Sequence, residues 1–479
     1  MPPLCYKKQL KLPPLCYKFS LSLPGYINTD MDFKRNAYQS LLNWKNSQYR
    51  KPLLLRGARQ VGKTTLIRQF AKEFDIYIEL NLEKKPEKAL FDLTDDINEL
   101  LSAIFLYKNV PVNDKPVLLF IDEIQESVKA IHLLRYFYEE RPDIFVIAAG
   151  SLLEFALKKV PSFPVGRIEY LTLHPLNFDE FLGVVNPNAR EILQQIPVPE
   201  YAQEILLKLF HNFAIVGGMP EVVSVYATSN NLSAALPIYK TLWQAYRDDV
   251  EKYAHNATER NIIRHIMETA PKESDRIKFE GFGRSNYRSR EVGEALRTLD
   301  MARIIFLIYP GTDLEPPFIV NYRNRPRLQF VDTGLLTNSL LLQGEMIGLA
   351  DLSDFYRGKI IQHLISQELM SIHNDPGFRP QFWVREKKGS DAEIDLVYQY
   401  GQKIIPLEIK SGEKGTLRSL HQFVNAANHP FAVRFYAGKL KIEDAKTPDG
   451  KPYQLLNLPY FLGTKITEYL QYFIDESRK

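Results

Sequence analysis

The run Gly57-Ala58-Arg59-Gln60-Val61-Gly62-Lys63-Thr64-Thr65 constrains this chain more than any other stretch. It fits G-x-x-x-x-G-K-[ST], follows the apolar Pro52-Leu53-Leu54-Leu55 and leads into Leu66-Ile67-Arg68-Gln69-Phe70. The predicted order is strand, phosphate loop, helix. In that setting the glycines let backbone N–H groups wrap a triphosphate, and Lys63 reaches the β and γ phosphates. The Thr64 hydroxyl ligates Mg²⁺ at a helix N-terminus that already favours anions. All nine residues are therefore candidate ligands of ATP, with Thr64 a candidate metal ligand. A plain glycine turn before a helix is the competing interpretation, and the flanking strand and helix argue against it.

From residue 32 to about 182, strand-like apolar runs alternate with helical segments, the pattern of a parallel α/β sheet. Strands are expected at 52–55, 75–81, 117–121, 144–149 and 168–173. The third runs straight into Asp122-Glu123. Asp122 is placed to hold the Mg²⁺ shell and Glu123 to polarise the attacking water as general base. The fourth ends at Gly150-Ser151, which puts a small hydroxyl where the sheet edge meets the phosphates. Arg167 stands in a loop before the fifth strand. There it is a candidate arginine finger for a neighbouring subunit's nucleotide, which implies a homo-oligomer; an ordinary surface ion pair is the alternative.

The totals narrow the class. A chain of 479 residues that is 45% hydrophobic divides into several domains. The net charge of +4 is too mild for a global polycation, so only local basic clusters can argue for nucleic acid. Both cysteines, Cys5 and Cys16, fall in the first sixteen residues, which leaves no thiol beyond them and points to a reducing, cytoplasmic setting. Apolar runs such as 117–121 and 145–149 have the length of buried strands, and no membrane segment is expected. The hexapeptide Pro-Pro-Leu-Cys-Tyr-Lys occurs at 2–7 and again at 13–18. Residues 1–30 read as a disordered leader, with Met31 a candidate natural start.

Residues 57–64, 117–123, Gly150-Ser151 and the run 165–181 together resemble the prokaryotic AAA-superfamily ATPases that carry a C-terminal DUF4143 domain. The resemblance extends over nearly everything from Met31 onward. It implies an ATP-binding and ATP-hydrolysing core at 31–185 with a helical lid at 186–270, and it makes Ser151 the sensor 1 residue. Helices are expected at 191–195, 201–213 and 236–253. Gly217-Gly218-Met219-Pro220-Glu221 matches a family signature, for which the residues themselves suggest only a turn and a helix start.

Residues 271–330 suggest a winged-helix-like unit. Val292, Ala295, Leu296 and Leu299 form one helical face, and the runs 303–308 and 318–322 suggest a long-looped hairpin. Arg284, Arg288, Arg290 and Arg297 lie on or before the helix; Arg323, Arg325 and Arg327 follow the hairpin. They would contact DNA phosphates, or else the unit serves protein contacts. Residues 331–479 begin with a helical stretch at 355–373. Strands follow at 392–398 and 403–410, with a helix at 416–427.

Asp395, Glu408 and Lys410 on those strands resemble a PD-(D/E)xK nuclease core. There the two carboxylates and the Ile409 carbonyl would hold Mg²⁺ and Lys410 would activate water. Related cores often add a glutamate from the preceding helix, where Gln362 or Glu368 stands. The expected fold is thus α/β: an AAA-type P-loop parallel sheet with a helical lid, a winged-helix-like unit and a nuclease-like α/β domain at 331–479. The leading expectation is an ATPase using ATP and Mg²⁺, with DNA or a protein as partner. An ATP-gated Mg²⁺-dependent DNA nuclease and a non-hydrolysing nucleotide switch are the alternatives.

Overall fold

Short apolar runs separated by amphipathic helices fold as their spacing demands. The computed structural model describes residues 33–476 except 112–114, 158–165, 253, 255, 274, 344–358, 374, 387–391 and 411–416. The leader expected at 1–30, with both cysteines, lies outside these residues.

The first five strands are β1 (Leu53–Arg56), β2 (Ile76–Asn81), β3 (Val117–Asp122), β4 (Ile144–Gly150) and β5 (Glu169–Thr172). They form one parallel sheet in the order β2-β3-β4-β1-β5. Every residue of β3 is buried, as a strand covered by helices on both faces requires. Alternation along the strands assigns each side chain to a layer. Leu53, Leu55, Leu118 and Phe120 pack with Leu66, Ile67 and Phe70 on one face. Leu54, Leu119 and Ile121 pack with Leu100, Ile131 and Leu134 on the other. Because all five strands run the same way, the phosphate loop, Asp122-Glu123 and Gly150-Ser151 emerge together at one sheet edge.

Helices Glu200–Val216, Pro220–Ser229, Leu236–Glu251 and Ala257–Thr269 follow. The short helix expected at 191–195 begins earlier, as Pro187–Leu193, because the Asn186 side chain accepts from Ala189 N and proline occupies the first turn. Helix Ser289–Met301 buries Val292, Ala295, Leu296 and Leu299 as its periodicity predicts.

The expected hairpin needs correcting. β6 (Ile305–Ile308) pairs antiparallel with β8 (Arg327–Phe330), not with 318–322. All four residues of β6 are buried and need an apolar partner. Phe330 supplies one, whereas Ile319 and Tyr322 are 65% and 74% exposed. Residues 318–322 make only an isolated bridge, Val320 to Gly311.

The C-terminal strands are β7 (Pro310–Gly311), β9 (Gln381–Val384), β10 (Glu393–Tyr400), β11 (Lys403–Ile409), β12 (Phe431–Tyr436), β13 (Lys441–Lys446) and β14 (Pro452–Pro459). They form a mixed sheet in the order β13-β14-β12-β11-β10-β9-β7. β10 and β11 form a tight hairpin with Gly401 in left-handed backbone (φ 56°). Helix Arg418–Ala426 covers one face through Leu420, Phe423 and Val424. Helices Lys359–Ser371 and Ile466–Glu476 cover the other and join the same apolar core as the phosphate-loop helix. The Glu368 carboxylate accepts from Phe178 N at 3.1 and 3.3 Å, and the Tyr469 hydroxyl accepts from Val198 N at 2.9 Å. The halves are therefore stitched by buried hydrogen bonds. Among the described residues, no helix is long and apolar enough to cross a membrane.

Candidate functional site

Gly62 caps the helix Lys63–Phe70 in left-handed backbone (φ 93°) that a side chain would strain. The loop also lies hard against the exit of β5: a Cβ at Gly57 would sit 2.4 Å from the Leu173 carbonyl oxygen. The Lys63 amine is buried and donates to the Gly57 and Ala58 carbonyls at 3.0 and 2.9 Å. Burial lowers its pKa to about 8, the Glu123 and Asp122 carboxylates only partly opposing this.

Thr64 Oγ1 donates to Asp122 Oδ2 at 2.7 Å. This hydroxyl and carboxylate are hard oxygen donors held side by side, the set a Mg²⁺ ion takes, and burial holds the Asp122 pKa above the usual range. The next residue, Glu123, is left-handed (φ 52°, ψ 44°), a conformation costing about 1 kcal/mol or more for a non-glycine residue. Its N–H donates to Asp122 Oδ1 at 3.0 Å, and Gln125 Nε2 donates to its carboxylate. Glu123 thus lines the same cleft, of roughly 590 Å³, as Lys63, Thr64, Gln60 and Arg59. Ser151 is buried one residue beyond β4, the strand between β3 and β1.

Arg167 is not brought to this cleft. It precedes β5, at the sheet edge opposite the phosphate loop, and its Nε pairs with Glu139 Oε1 at 2.8 Å on an exposed surface.

Elements distant in the chain complete the site. Arg35, 5% exposed at its side chain, donates to the carbonyls of Val61 (2.9 Å) and His174 (2.6 Å) and pairs with Glu180 at 3.1 Å. It braces the loop from behind. Arg59 pairs with Asp249 at 2.5 Å, and the Tyr246 hydroxyl donates to its carbonyl at 3.0 Å, so helix Leu236–Glu251 reaches the loop. Pro220 and Glu221 form a wall of the cleft. The Gly217–Glu221 signature is explained by packing: a Cβ on Gly218 would lie 2.0 Å from the Leu176 carbonyl oxygen, and Gly218 N donates to the buried Asp332 at 2.6 Å.

At the C-terminal constellation the paired register of β10 and β11 ends with Leu396 opposite Leu407, and Asp395 and Glu408 are the next residues along the two strands. Asp395 Oδ2 accepts from Ile409 N at 2.8 Å, and Lys410 Nζ pairs with Glu408 Oε1 at 2.8 Å. Burial, and then the Asp395 charge, raise the Glu408 pKa to about 7, and among the described residues its Oε2 has no hydrogen-bond partner. Gln362, not Glu368, is the helix residue at this site; its Nε2 donates to the Asp395 carbonyl at 3.2 Å. Arg327 Nη1 donates to the same carbonyl at 2.8 Å and pairs with Glu393, which Arg276 also holds at 3.1 Å. Protein cations thus compensate the carboxylates. Among the described residues, no group of three or more His, Cys, Asp or Glu is arranged to hold a metal ion.

Family comparison agrees with this geometry. An AAA domain matches residues 49–182, and a domain of unknown function, DUF4143, matches 357–455. The chain thus contains an AAA domain and, further on, a DUF4143 domain. Between the two, another domain of unknown function, DUF8612, matches 207–345, across position 270. No curated protein matches it.

Among solved structures, a Walker-type ATPase of Pyrococcus abyssi is 16% identical at a TM-score of 0.42, covering 64% of this chain and 96% of that one. PCH-2 of C. elegans is 13% identical (TM-score 0.25; 42% and 65% covered). A Signal Transduction ATPase with Numerous Domains from Pyrococcus horikoshii, with a tetratricopeptide repeat sensor, is 14% identical (TM-score 0.26; 71% and 46% covered).

Proposed function

We propose that this chain binds Mg·ATP at residues 57–65 and hydrolyses it. The observation that carries the reading is the Thr64–Asp122 contact with Glu123 turned into the same cleft. It provides a hard-oxygen pair for the metal beside a carboxylate for the attacking water. Mg²⁺, when bound, supplies charge neutralisation at the β and γ phosphates. The chain's own residues do the rest. Lys63 leaves the Gly57 and Ala58 carbonyls for the phosphates, Glu123 accepts the proton of water, and Ser151 holds that water or the γ phosphate. Arg167 acts on a neighbouring copy, since its own loop lies at the far sheet edge. The lid at 186–270 closes through helix Leu236–Glu251. The reducing cytoplasm suits a chain whose cysteines are confined to its first sixteen residues.

The C-terminal half meets a nucleic-acid or protein partner. In support of nucleic acid, Arg284, Arg288, Arg297, Arg323 and Arg325 are exposed around the winged-helix-like unit at 271–330. Arg290 is exposed too but pairs with Glu294, and Arg327 is committed to the Asp395 site. Asp395 and Glu408 motivate the nuclease alternative, yet the uncharged Gln362 and the compensating Arg327 and Lys410 favour binding without cleavage. ATP turnover with and without single- and double-stranded DNA, followed by a gel, tests these points together. Unchanged turnover in Lys63→Ala overturns the ATPase reading, and Mg²⁺-dependent cleavage lost in Glu408→Ala overturns the non-cleaving one.

A further inference from the structure

Arg303 stands two residues past helix Ser289–Met301 in left-handed backbone (φ 58°), uncommon for a long side chain and enriched at ligand clamps. It is only 5% exposed. A buried guanidinium ordinarily has its N–H groups taken up by carboxylate or carbonyl oxygens. Among the described residues the Arg303 side chain makes no hydrogen bond. Its ion pair with Glu154 Oε1 is long, at 3.6 Å, that carboxylate is already held by Arg56 at 2.8 Å, and Asp300 acts on its charge from further off. The carbonyls ending the preceding helix, natural acceptors for a cation, do not take it. Burial and the neighbouring Arg379 push its pKa down to about 10, with Glu154 opposing.

This side chain lines a cleft of roughly 470 Å³ together with Arg297, Arg379, Glu154, Glu259, Glu294 and Asp300. The carboxylates have donors of their own: Asp300 accepts from Arg379 at 3.1 Å, Glu294 from Arg290 at 2.9 Å, and Glu259 from Thr298 at 3.4 Å. Among the described residues, Arg303 keeps hydrogen-bonding capacity that its long ion pair with Glu154 does not use.

We propose that this cleft binds a compact phosphate dianion, with Arg303 as principal ligand and Arg297 and Arg379 flanking it. At roughly 470 Å³ the cleft has room for inorganic phosphate or a small phosphate monoester. The site adjoins the nucleotide cleft. Glu154 links Arg303 to Arg56, the residue before Gly57. Hydrolysis releases one such dianion; cellular monoesters are the other source.

Binding is measured by equilibrium dialysis of labelled inorganic phosphate against the full chain with Mg·ADP saturating. Competition by glycerol phosphate separates the monoester source from free phosphate. The expected result is one phosphate per chain, weakened at least tenfold in Arg303→Gln and largely restored in Arg303→Lys. Arg297→Gln, on an exposed position, weakens binding several-fold with the fold intact by circular dichroism. A further tenfold rise in Mg·ADP leaves wild-type binding within about twofold. The proposal is overturned if Arg303→Gln and Arg297→Gln bind phosphate like the wild type, or if rising Mg·ADP displaces the phosphate, which would place it on residues 57–65. Neither result bears on whether the chain hydrolyses ATP, because the assay reads phosphate alone.

Discussion

Replacing Lys63 by methionine should separate the cost of this lysine to the fold from its use to the site. The side chain keeps its length and loses its charge. Burial lowers the amine pKa from 10.5 to about 8, and a shift of that size corresponds to about 3 kcal/mol held against the charged form. Against this, Lys63→Met leaves the Gly57 and Ala58 carbonyls without their donor, at about 1 kcal/mol each. The nucleotide-free variant is therefore expected to be no less stable than the wild type at pH 7, with a net gain of about 1 kcal/mol.

The sign of the pH dependence follows. Below pH 8 both folded and unfolded chains hold the Lys63 proton. Between pH 8 and 10.5 the unfolded chain keeps it and the folded chain releases it, so wild-type stability rises relative to Lys63→Met, by up to about 3 kcal/mol. Calorimetry of both proteins from pH 7 to 10, with and without Mg·ADP, reads all of this. At a hundredfold excess over its dissociation constant the ligand adds about 2.7 kcal/mol to the wild type, and Lys63→Met should lose that increment. A drop of more than about 2 kcal/mol in the nucleotide-free variant, or a wild-type-minus-variant difference that ignores pH, refutes the reasoning.

Other perturbations carry equally definite outcomes. Glu123→Gln should lower ATP turnover by about 10²- to 10⁴-fold while leaving Mg·ADP stabilisation intact; single-turnover assays and melting curves check the two halves separately. Gly218→Ala should destabilise the chain by about 3 kcal/mol or more, since its Cβ meets the Leu176 carbonyl at 2.0 Å, and a near-wild-type melting temperature would be inconsistent with that contact. The Glu408 carboxyl keeps its proton up to about pH 7 in the fold but loses it near its usual 4.5 when unfolded. Wild-type stability should thus fall as pH rises through that window, and Glu408→Gln should flatten the slope in denaturant titrations.

The phosphate loop, Asp122-Glu123 and the five strands were legible because each is written in contiguous residues: apolar runs, then a polar group at the strand end. The helix face of Val292, Ala295, Leu296 and Leu299 was legible for the same reason. Partners joined only by tertiary folding were not. Arg35 lies more than twenty residues before Gly57 in the chain and nothing around it marks a brace. Asp249 is an ordinary helical acid until Arg59 meets it. The partner of β6 was misplaced because two apolar runs competed for it, and burial on both faces, a property of the assembled core, chose Arg327–Phe330. At the C-terminal constellation, spacing offered Asp395, Glu408 and Lys410 as candidates. Only the packing showed that Gln362 stands with them and that Arg327 meets their charge.

Glu368 has a consequence for dissection. This carboxyl group, on a helix of the DUF4143 region, is fully buried and receives the N–H that opens the helix Phe178–Val185 of the AAA region. Nearly two hundred positions in the chain separate donor from acceptor. A gene fragment ending before residue 357 would strip the first half of an interior contact, and a chimera joining halves from distant relatives would have to match both sides of the seam. Cutting between the two regions leaves a buried backbone donor on one side and a buried carboxyl on the other, each without its partner.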